Sequence, residues 1–315
     1  MSLPTSNDIQ AVDPVLTNVL VAYTQADARF IADKVFPAVS VDTMSGTFYV
    51  FDKKYWFTDQ MQVRAPGQQF AMADFGVSTD TYKCQEVALE YPVADEIRAA
   101  NQAPMDLETA GVRFLGQKNL IRREVAFAAD NMLYSSWTSY DNNSATDWDD
   151  FTSGDPVNGV LTAKRTVSNL TGMDPNTMAL GYEVHQALVN HPDILDRIKY
   201  NVSVTQANVE GALAALFGVE RYLVGKAVYS NTNEASSFSA SAIIDDDCLI
   251  CYASPNPGIF EPSCGYTFNW APGGGLGTIA KVRDDRAHAD FVQLMAHWDH
   301  KIVGADLGYF FADIT

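Results

Sequence analysis

The chain is short of cations: Lys and Arg number 21 against 39 Asp and Glu, for a formal net charge of −18. A protein that grips a phosphate backbone by releasing its counterions needs a basic surface, so this balance argues against sequence-specific nucleic-acid binding. It does not argue against a container, because an acidic inner wall would leave packed phosphates mobile. The total charge is silent on which face is acidic. Cysteine is scarce as well, with Cys84, Cys248, Cys251 and Cys264 the four in 315 residues, too few for a disulfide framework. No apolar run approaches the roughly 20 residues that a membrane-spanning helix requires. The opening MSLPTSNDIQ has neither a basic n-region nor an apolar h-region. The expectation is a chain made in the cytoplasm without export and without a membrane partner. No repeat of fixed period is visible.

Catalytic motifs are equally thin. The glycine run PGGGLG at 272–277 is followed by Thr278 and Ile279, with no lysine to complete a phosphate-binding loop, and reads as a flexible turn. There is no Gly-x-Ser-x-Gly elbow. His297 and His300, with Asp290 and Asp299 nearby, suggest a metal site as text, but on a strand 297 and 300 point to opposite faces. His185, His191 and His288 stand apart from them. Asp245, Asp246 and Asp247 could hold a hard cation, yet adjacent carboxylates on an extended chain diverge and more often mark a solvated turn. Cys248 and Cys251 form a lone CLIC, and with only Cys264 to add they read as buried small hydrophobes. Glu86, Glu90, Asp95 and Glu96 supply carboxylate pairs of a kind any acidic chain offers. No catalytic, cofactor-binding or metal site is expected, and no cofactor.

What the sequence does have is mass for a core, 47% of it hydrophobic, enough for one elaborate unit or two to three subdomains. Residues 1–30 begin polar and then scatter Val12, Val15, Leu16, Val19, Leu20 and Tyr23; such an arm needs a surface to lie on. The run 46–57, GTFYVFDKKYWF, and the run 78–91, STDTYKCQEVALEY, both read as strands, the first apolar on both faces. Between them 58–76, with Pro66, Gly67 and Gly76, reads as a long hairpin tip. A two-stranded ribbon is marginal alone in water. This one therefore calls for a partner surface. Residues 104–137 give the clearest helix signal, with Leu107, Ala110, Phe114, Ile121, Val125, Ala128 and Met132 at helical spacing and Arg113, Lys118, Arg122 and Asp130 on other faces. Its length, up to about 50 Å, makes it a spine. A polar loop at 140–158 separates it from helical patterns near 181–190 and 205–217, strand-like runs at 221–229 and 247–253, a Pro- and Gly-dense passage, and aromatic-rich strands over 287–313.

The blocks RFIADKVFPAVSVDTMSGTFYVFDK, YKCQEVALEYPVADEIRAANQAPMDLE and RREVAFA, then GYEVHQALVNHPDILDRIKY, AVYSNTNEA, DDDCLICYASPNPG and PSCGYTFNW, span about Arg29 to Trp270. In this order they resemble the tailed-bacteriophage major capsid proteins of the HK97-like fold. The resemblance implies an α+β HK97-like capsid fold with an N-terminal arm (1–45), an extended β-hairpin loop (46–92), a peripheral domain (93–159) built on the 104–137 spine, an axial domain (160–285), and C-terminal strands (286–315) returning to the domain junction. It implies a subunit that self-assembles as hexamers and pentamers into an icosahedral head around double-stranded DNA, which it touches non-specifically. Separate scaffolding, portal and cement proteins are the implied partners, assembly in the host cytoplasm the implied place, and the virion capsid the destination. Intersubunit contacts are expected from Trp56, Phe57, Arg64, Phe70, Met72 and Phe75 of the loop, and charge pairing from Arg113, Lys118, Arg122 and Arg123 of the spine. Some family members crosslink a loop lysine to a neighbour's asparagine. Here the tip carries Gln60, Gln62, Arg64 and Gln68, and Lys53 and Lys54, expected on the rising strand, read as solubilising edge charges. The alternatives are an encapsulin-like nanocompartment shell and, further off, a metal-dependent hydrolase.

Overall fold

The structure is a computed structural model that describes residues 25–51, 53–100, 107–142, 147–198, 208–230, 232, 237–258 and 261–315. In chain order its strands are β1 (Ala38–Val41), β2 (Ser45–Phe51), β3 (Val77–Lys83), β4 (Gln85–Ala94), β5 (Ser139–Asn142), β6 (Thr177–Gly181), β7 (Arg221–Gly225), β8 (Val228–Tyr229), β9 (Ser241–Ala242), β10 (Cys248–Cys251), β11 (Gly265–Trp270), β12 (Thr278–Asp284), β13 (Ala289–Ile302) and β14 (Gly308–Ala312).

β13 organises the first sheet. Its sequence, ADFVQLMAHWDHKI, alternates well enough to bury one face throughout, and at 14 residues it is long enough to pair with three strands. β4 runs antiparallel along one edge, from Ala289↔Ala94 to Trp298↔Gln85. On the other edge β12 pairs with the first half and β11 with the second, and β1 extends the sheet parallel to β11. The long helix Leu107–Asn131 lies on this sheet, with Leu115 and Ala126 packed among Val292, Leu294, Ala296 and Trp298. Gly111 permits the approach, since a β-carbon there would stand 2.6 Å from the Tyr91 ring.

This helix is shorter than the expected 104–137, about 37 Å by its rise; residues 101–106 lie outside the described set. Its end has a local cause. The Asn131 amide donates to the Phe127 carbonyl at 3.3 Å and the Trp137 indole to the Asn131 carbonyl at 2.9 Å, so side chains satisfy terminal acceptors and the backbone turns away. The buried stripe also differs from the expected one. Gly111, Leu115, Ala126 and Phe127 are covered, whereas Phe114 is 47% exposed.

The second sheet has the order β5-β14-β10-β6-β7. β6 and β10 are buried along their whole length, Cys248 and Cys251 included; all four cysteines are free and buried. Helix Pro156–Thr171 covers one face through Val157, Val160, Ala163 and Val167. Asp155 caps it by accepting from the Asn158 N–H at 3.0 Å, proline takes the first turn, and Gly172 at φ 69° ends it. Helix Val209–Phe217 adds Leu213 and Phe217 to the same core. The expected segments do not follow the sheets. β11 and β12, within 160–285, join the first sheet, and the C-terminal strands divide between the two, β13 in the first and β14 in the second.

The end of the second sheet, just before β10 and just after β14, gathers like charge. The pairing Cys248↔Phe311 places Asp246 opposite Asp313, and the Asp246 carbonyl accepts from the Ile314 N–H at 3.3 Å. Expected as a solvated turn, Asp246 and Asp247 are instead half-buried. Burial, with neighbouring carboxylates adding to it, pushes Asp247 up to about 7, and burial with the Asp313 carboxyl pushes Asp246 up to about 6. A group raised in the folded state contributes stability that is complete below its unfolded value and lost as pH rises through the folded one. At the opposite end of the range, Asp290 accepts from Arg98 at 2.5 Å and pairs with Lys281 and Arg283 at 3.3 Å; these cations lower it to about 2, so its contribution disappears as pH falls from about 4 to 2. The stability these groups supply should therefore peak near pH 4, where Asp290 is ionised and Asp246 and Asp247 are still protonated, and decline on the order of 2 kcal/mol between about pH 4 and 7. Asp247→Asn should flatten the alkaline limb in urea titrations; an unchanged slope would contradict the assignment.

Candidate assembly interface

β2 and β3 pair antiparallel from Ser45↔Lys83 to Phe51↔Val77 and form the base of the extended loop. The base is anchored by rings. Phe48 stacks on Phe268 with centroids 5.6 Å apart and Tyr82 on the same ring at 4.5 Å. The Lys83 N–H donates to Asp299 at 2.9 Å. Gly46 is required where it stands, because a β-carbon there would lie 2.7 Å from the Tyr82 hydroxyl.

Three expectations for the loop need correction. The run 46–57 is not one strand: it ends at Phe51, and Lys53–Phe57 is a helical turn that carries Trp56 and Phe57. The turn is favoured because two of its aromatics meet the returning side, Trp56 against Phe75 at 5.7 Å and Tyr55 against Gly76, while staying largely exposed, and because Thr58 caps its end by donating to the Lys54 carbonyl at 2.5 Å. The run 78–91 divides at Cys84, and β4 leaves the ribbon for the first sheet. Lys53 is no edge charge either; its ammonium meets Asp306 in the β13–β14 connection at 2.6 Å.

Beyond the helical turn, 58–76 has no regular structure and little cover. Met61 is 93% exposed, Met72 98% and Phe70 78%, with Phe75 also exposed. Arg64 lies over the Phe70 ring at 4.5 Å and donates to the Gln68 carbonyl at 2.8 Å, giving the tip a local fold of its own. Trp56 and Phe57 are exposed on the same loop. Six expected contact residues thus share one projecting, apolar and solvated segment. Its chemistry is that of a surface made to be covered.

The four spine cations part company. Arg123 is buried and pairs with Asp33, and burial lowers its pKa. Lys118 lies over Phe114 at 5.4 Å, while Arg113 and Arg122 are exposed on the outward faces of the helix. A residue that sequence reasoning passed over does more at this point. Glu124 is buried and accepts from the Ile31 N–H at 3.0 Å and the Ala32 N–H at 2.9 Å, tying the chain ahead of β1 to the long helix. Burial raises its pKa, against the lowering effect of those two donors.

The histidines bear out the opposite-face reading. His297 packs against Trp270 at 5.1 Å, while His300 packs against Phe127 at 5.9 Å. Thr267 gives its hydroxyl proton to the Phe36 carbonyl at 3.1 Å, so the His300 Nδ1 is the donor in its 2.8 Å contact with that hydroxyl oxygen. Burial, with Arg123 adding to it, lowers His300 to about 3, and the ring is a neutral structural link. Among the described residues no group of three or more His, Cys, Asp or Glu could hold a metal ion, and no helix is long and apolar enough to cross a membrane.

No protein-family model matches the chain. It is 28% identical over 316 residues to the major capsid protein of Burkholderia phage BcepMu, covering 98% of each. Among solved structures it is similar to a phage-related protein from Bordetella bronchiseptica RB50, with a TM-score of 0.69 and 24% identity over 92% of this chain and 94% of that one. It is also similar to the capsid of Myoviridae phage XM1, with a TM-score of 0.59 and 9% identity over 98% of each. By its two sheets, long helix and projecting loop, and by these full-length similarities, the chain has the HK97-like fold of tailed-phage capsid proteins.

Proposed function

We propose that this chain is a major capsid protein, a structural and non-catalytic subunit that self-assembles as hexamers and pentamers into the icosahedral head of a tailed phage. The observation that carries the reading is the loop tip, whose apolar side chains are left in solvent by a subunit similar end to end to a phage major capsid protein. In the shell Trp56, Phe57, Arg64, Phe70, Met72 and Phe75 contact a neighbouring subunit, and Arg113, Lys118 and Arg122 face acidic surfaces of other chains. The arm is 1–45, the extended loop 46–92, the peripheral domain 93–159, the axial domain 160–285 and the returning strands 286–315. Double-stranded DNA inside the head, and separate scaffolding, portal and cement proteins, complete the set of partners. Assembly takes place in the host cytoplasm and the product resides in the virion.

Negative-stain microscopy and light scattering of purified protein should reveal large closed particles containing DNA when made with the phage's own packaging proteins. A protein cargo would favour a nanocompartment, and a small soluble oligomer would overturn both shell readings. Electrostatics supplies a second check. Subunits of charge −18 repel when concentrated on a shell, and salt screens that repulsion over a length of about 8 Å at physiological strength. Light scattering should rise from low to moderate salt; a monotonic fall would mean that ion pairs between subunits outweigh their net repulsion.

A further inference from the structure

The extended loop touches its own subunit at two places, and they belong to different parts of the fold. The first is the base of the ribbon. Phe48 and Tyr82 stack on Phe268 of β11, and the Lys83 N–H donates to Asp299 of β13, so the base is held by the first sheet. The second lies past the last pair of the ribbon, Phe51↔Val77, about 17 Å along the strands from Gly46. There the Lys53 ammonium meets the Asp306 carboxylate at 2.6 Å. Asp306 stands in the connection by which the chain leaves β13 of the first sheet for β14 of the second. That connection is itself pinned. The Val303 and Gly304 N–H groups donate to the Cys264 carbonyl at 3.0 and 3.1 Å, the Leu307 carbonyl accepts from the Tyr252 N–H at 2.9 Å, and the Leu307 side chain is buried in the core around Phe127. The loop side of the contact is organised as well. Lys53 opens the helical turn that carries Tyr55 and Trp56, and these rings meet Gly76 and Phe75 on the returning side. Both arms of the tip therefore leave from one clasp.

We propose that the Lys53–Asp306 pair is a latch that fixes the bearing of the loop tip relative to the junction between the two sheets. A ribbon held only at its base can swing about that point, and a second attachment about 17 Å along it removes the freedom. The side chains of the tip add little restraint of their own, since Met61, Phe70 and Met72 stand in solvent. The lysine and aspartate side chains are 42% and 32% exposed, which keeps the pair weak and the latch reversible. Where the tip meets a neighbouring subunit, a role that rests on the shell reading, the latch sets the direction from which it arrives. Lys53 is then a positioning residue.

Nitroxide labels at Gln60→Cys, beside the clasp, and at Glu220→Cys, an exposed site next to β7, report this bearing as a distance in the unassembled full-length subunit; the four native cysteines are buried. The labelled parent should give one narrow distance. Lys53→Met keeps the stem and removes the charge, and it should raise the population away from the parent distance by about fivefold, the most that a partly exposed pair supports. Asp306→Asn should do the same, and Lys53→Arg should stay narrow. Exchanging the charges, Lys53→Asp with Asp306→Lys, should restore the narrow distance, which a mere loss of packing would not allow. An unchanged distribution in both Lys53→Met and Asp306→Asn would overturn the proposal, and so would an exchange variant as broad as either. Light scattering reads the consequence: Lys53→Met should close shells more slowly by a similar factor, and assembly at the parent rate from a subunit with a released loop would overturn the positioning role. A parent chain that forms no shells would overturn the shell reading alone, because the distances are measured on single subunits.

Discussion

A subunit lacking residues 59–75 is expected to keep its secondary structure and to lose the ability to close into shells. The deletion spares β2, β3 and the Lys53–Asp306 pair, and it removes side chains that the subunit itself leaves in water, Met61, Phe70 and Met72 foremost. Ordering such a segment costs about 1 to 2 kcal/mol of backbone entropy per residue. Within the subunit almost nothing offsets that cost, whereas burying Phe70, Met72 and Phe75 against another chain would return about 1.5 to 3 kcal/mol each. Circular dichroism should match the full-length chain, and sedimentation velocity should find only small species. Full-size particles from the truncated chain would show that the loop is not an intersubunit clamp. Loss of secondary structure would place the ribbon in an internal core.

The loop was legible in the sequence because Pro66, Gly67 and Gly76 interrupt two aromatic runs, and turn chemistry is local. What composition could not reveal was the helical turn at Lys53–Phe57, since its stabilising partners, Phe75 and Gly76, lie about 20 residues on. The long helix shows a similar limit. Hydrophobic spacing picked out Ala110, Phe114 and Ile121, but the sheet sits against Gly111 and Leu115, because a glycine adds nothing to an apolar pattern and yet admits the Tyr91 ring. Asp246 and Asp247 were read as a solvated turn for a comparable reason: Asp313, the group that faces Asp246 across the sheet, comes 67 residues later in the chain. The buried CLIC strand was readable from residue type, four apolar side chains in a row, and the opposed histidines from the alternation of an extended chain.

Glu124→Ala is expected to destabilise the subunit by about 3 kcal/mol and to release the chain ahead of β1 from the long helix. The carboxylate accepts from two backbone donors, those of Ile31 and Ala32, at the start of the turn Ala32–Val35, whose Val35, with the neighbouring Phe36, belongs to the core around Phe127. Alanine would leave both N–H groups buried without an acceptor, and an unsatisfied buried donor costs roughly 1 to 3 kcal/mol. It would also remove the neighbouring negative charge from Arg123, leaving Asp33 as that guanidinium's ion-pair partner at the site. Glu124→Gln keeps one acceptor oxygen and should recover about half of the loss, which separates hydrogen bonding from charge. Urea unfolding of the three proteins gives the ordering, and hydrogen exchange gives the location: in the alanine variant Ile31 and Ala32 should lose protection while β6 and β10 of the second sheet keep theirs. A uniform loss of protection across both sheets would mean that Glu124 supports the whole fold and not this one attachment, and equal stability of all three proteins would mean that solvent reaches Ile31 and Ala32 readily.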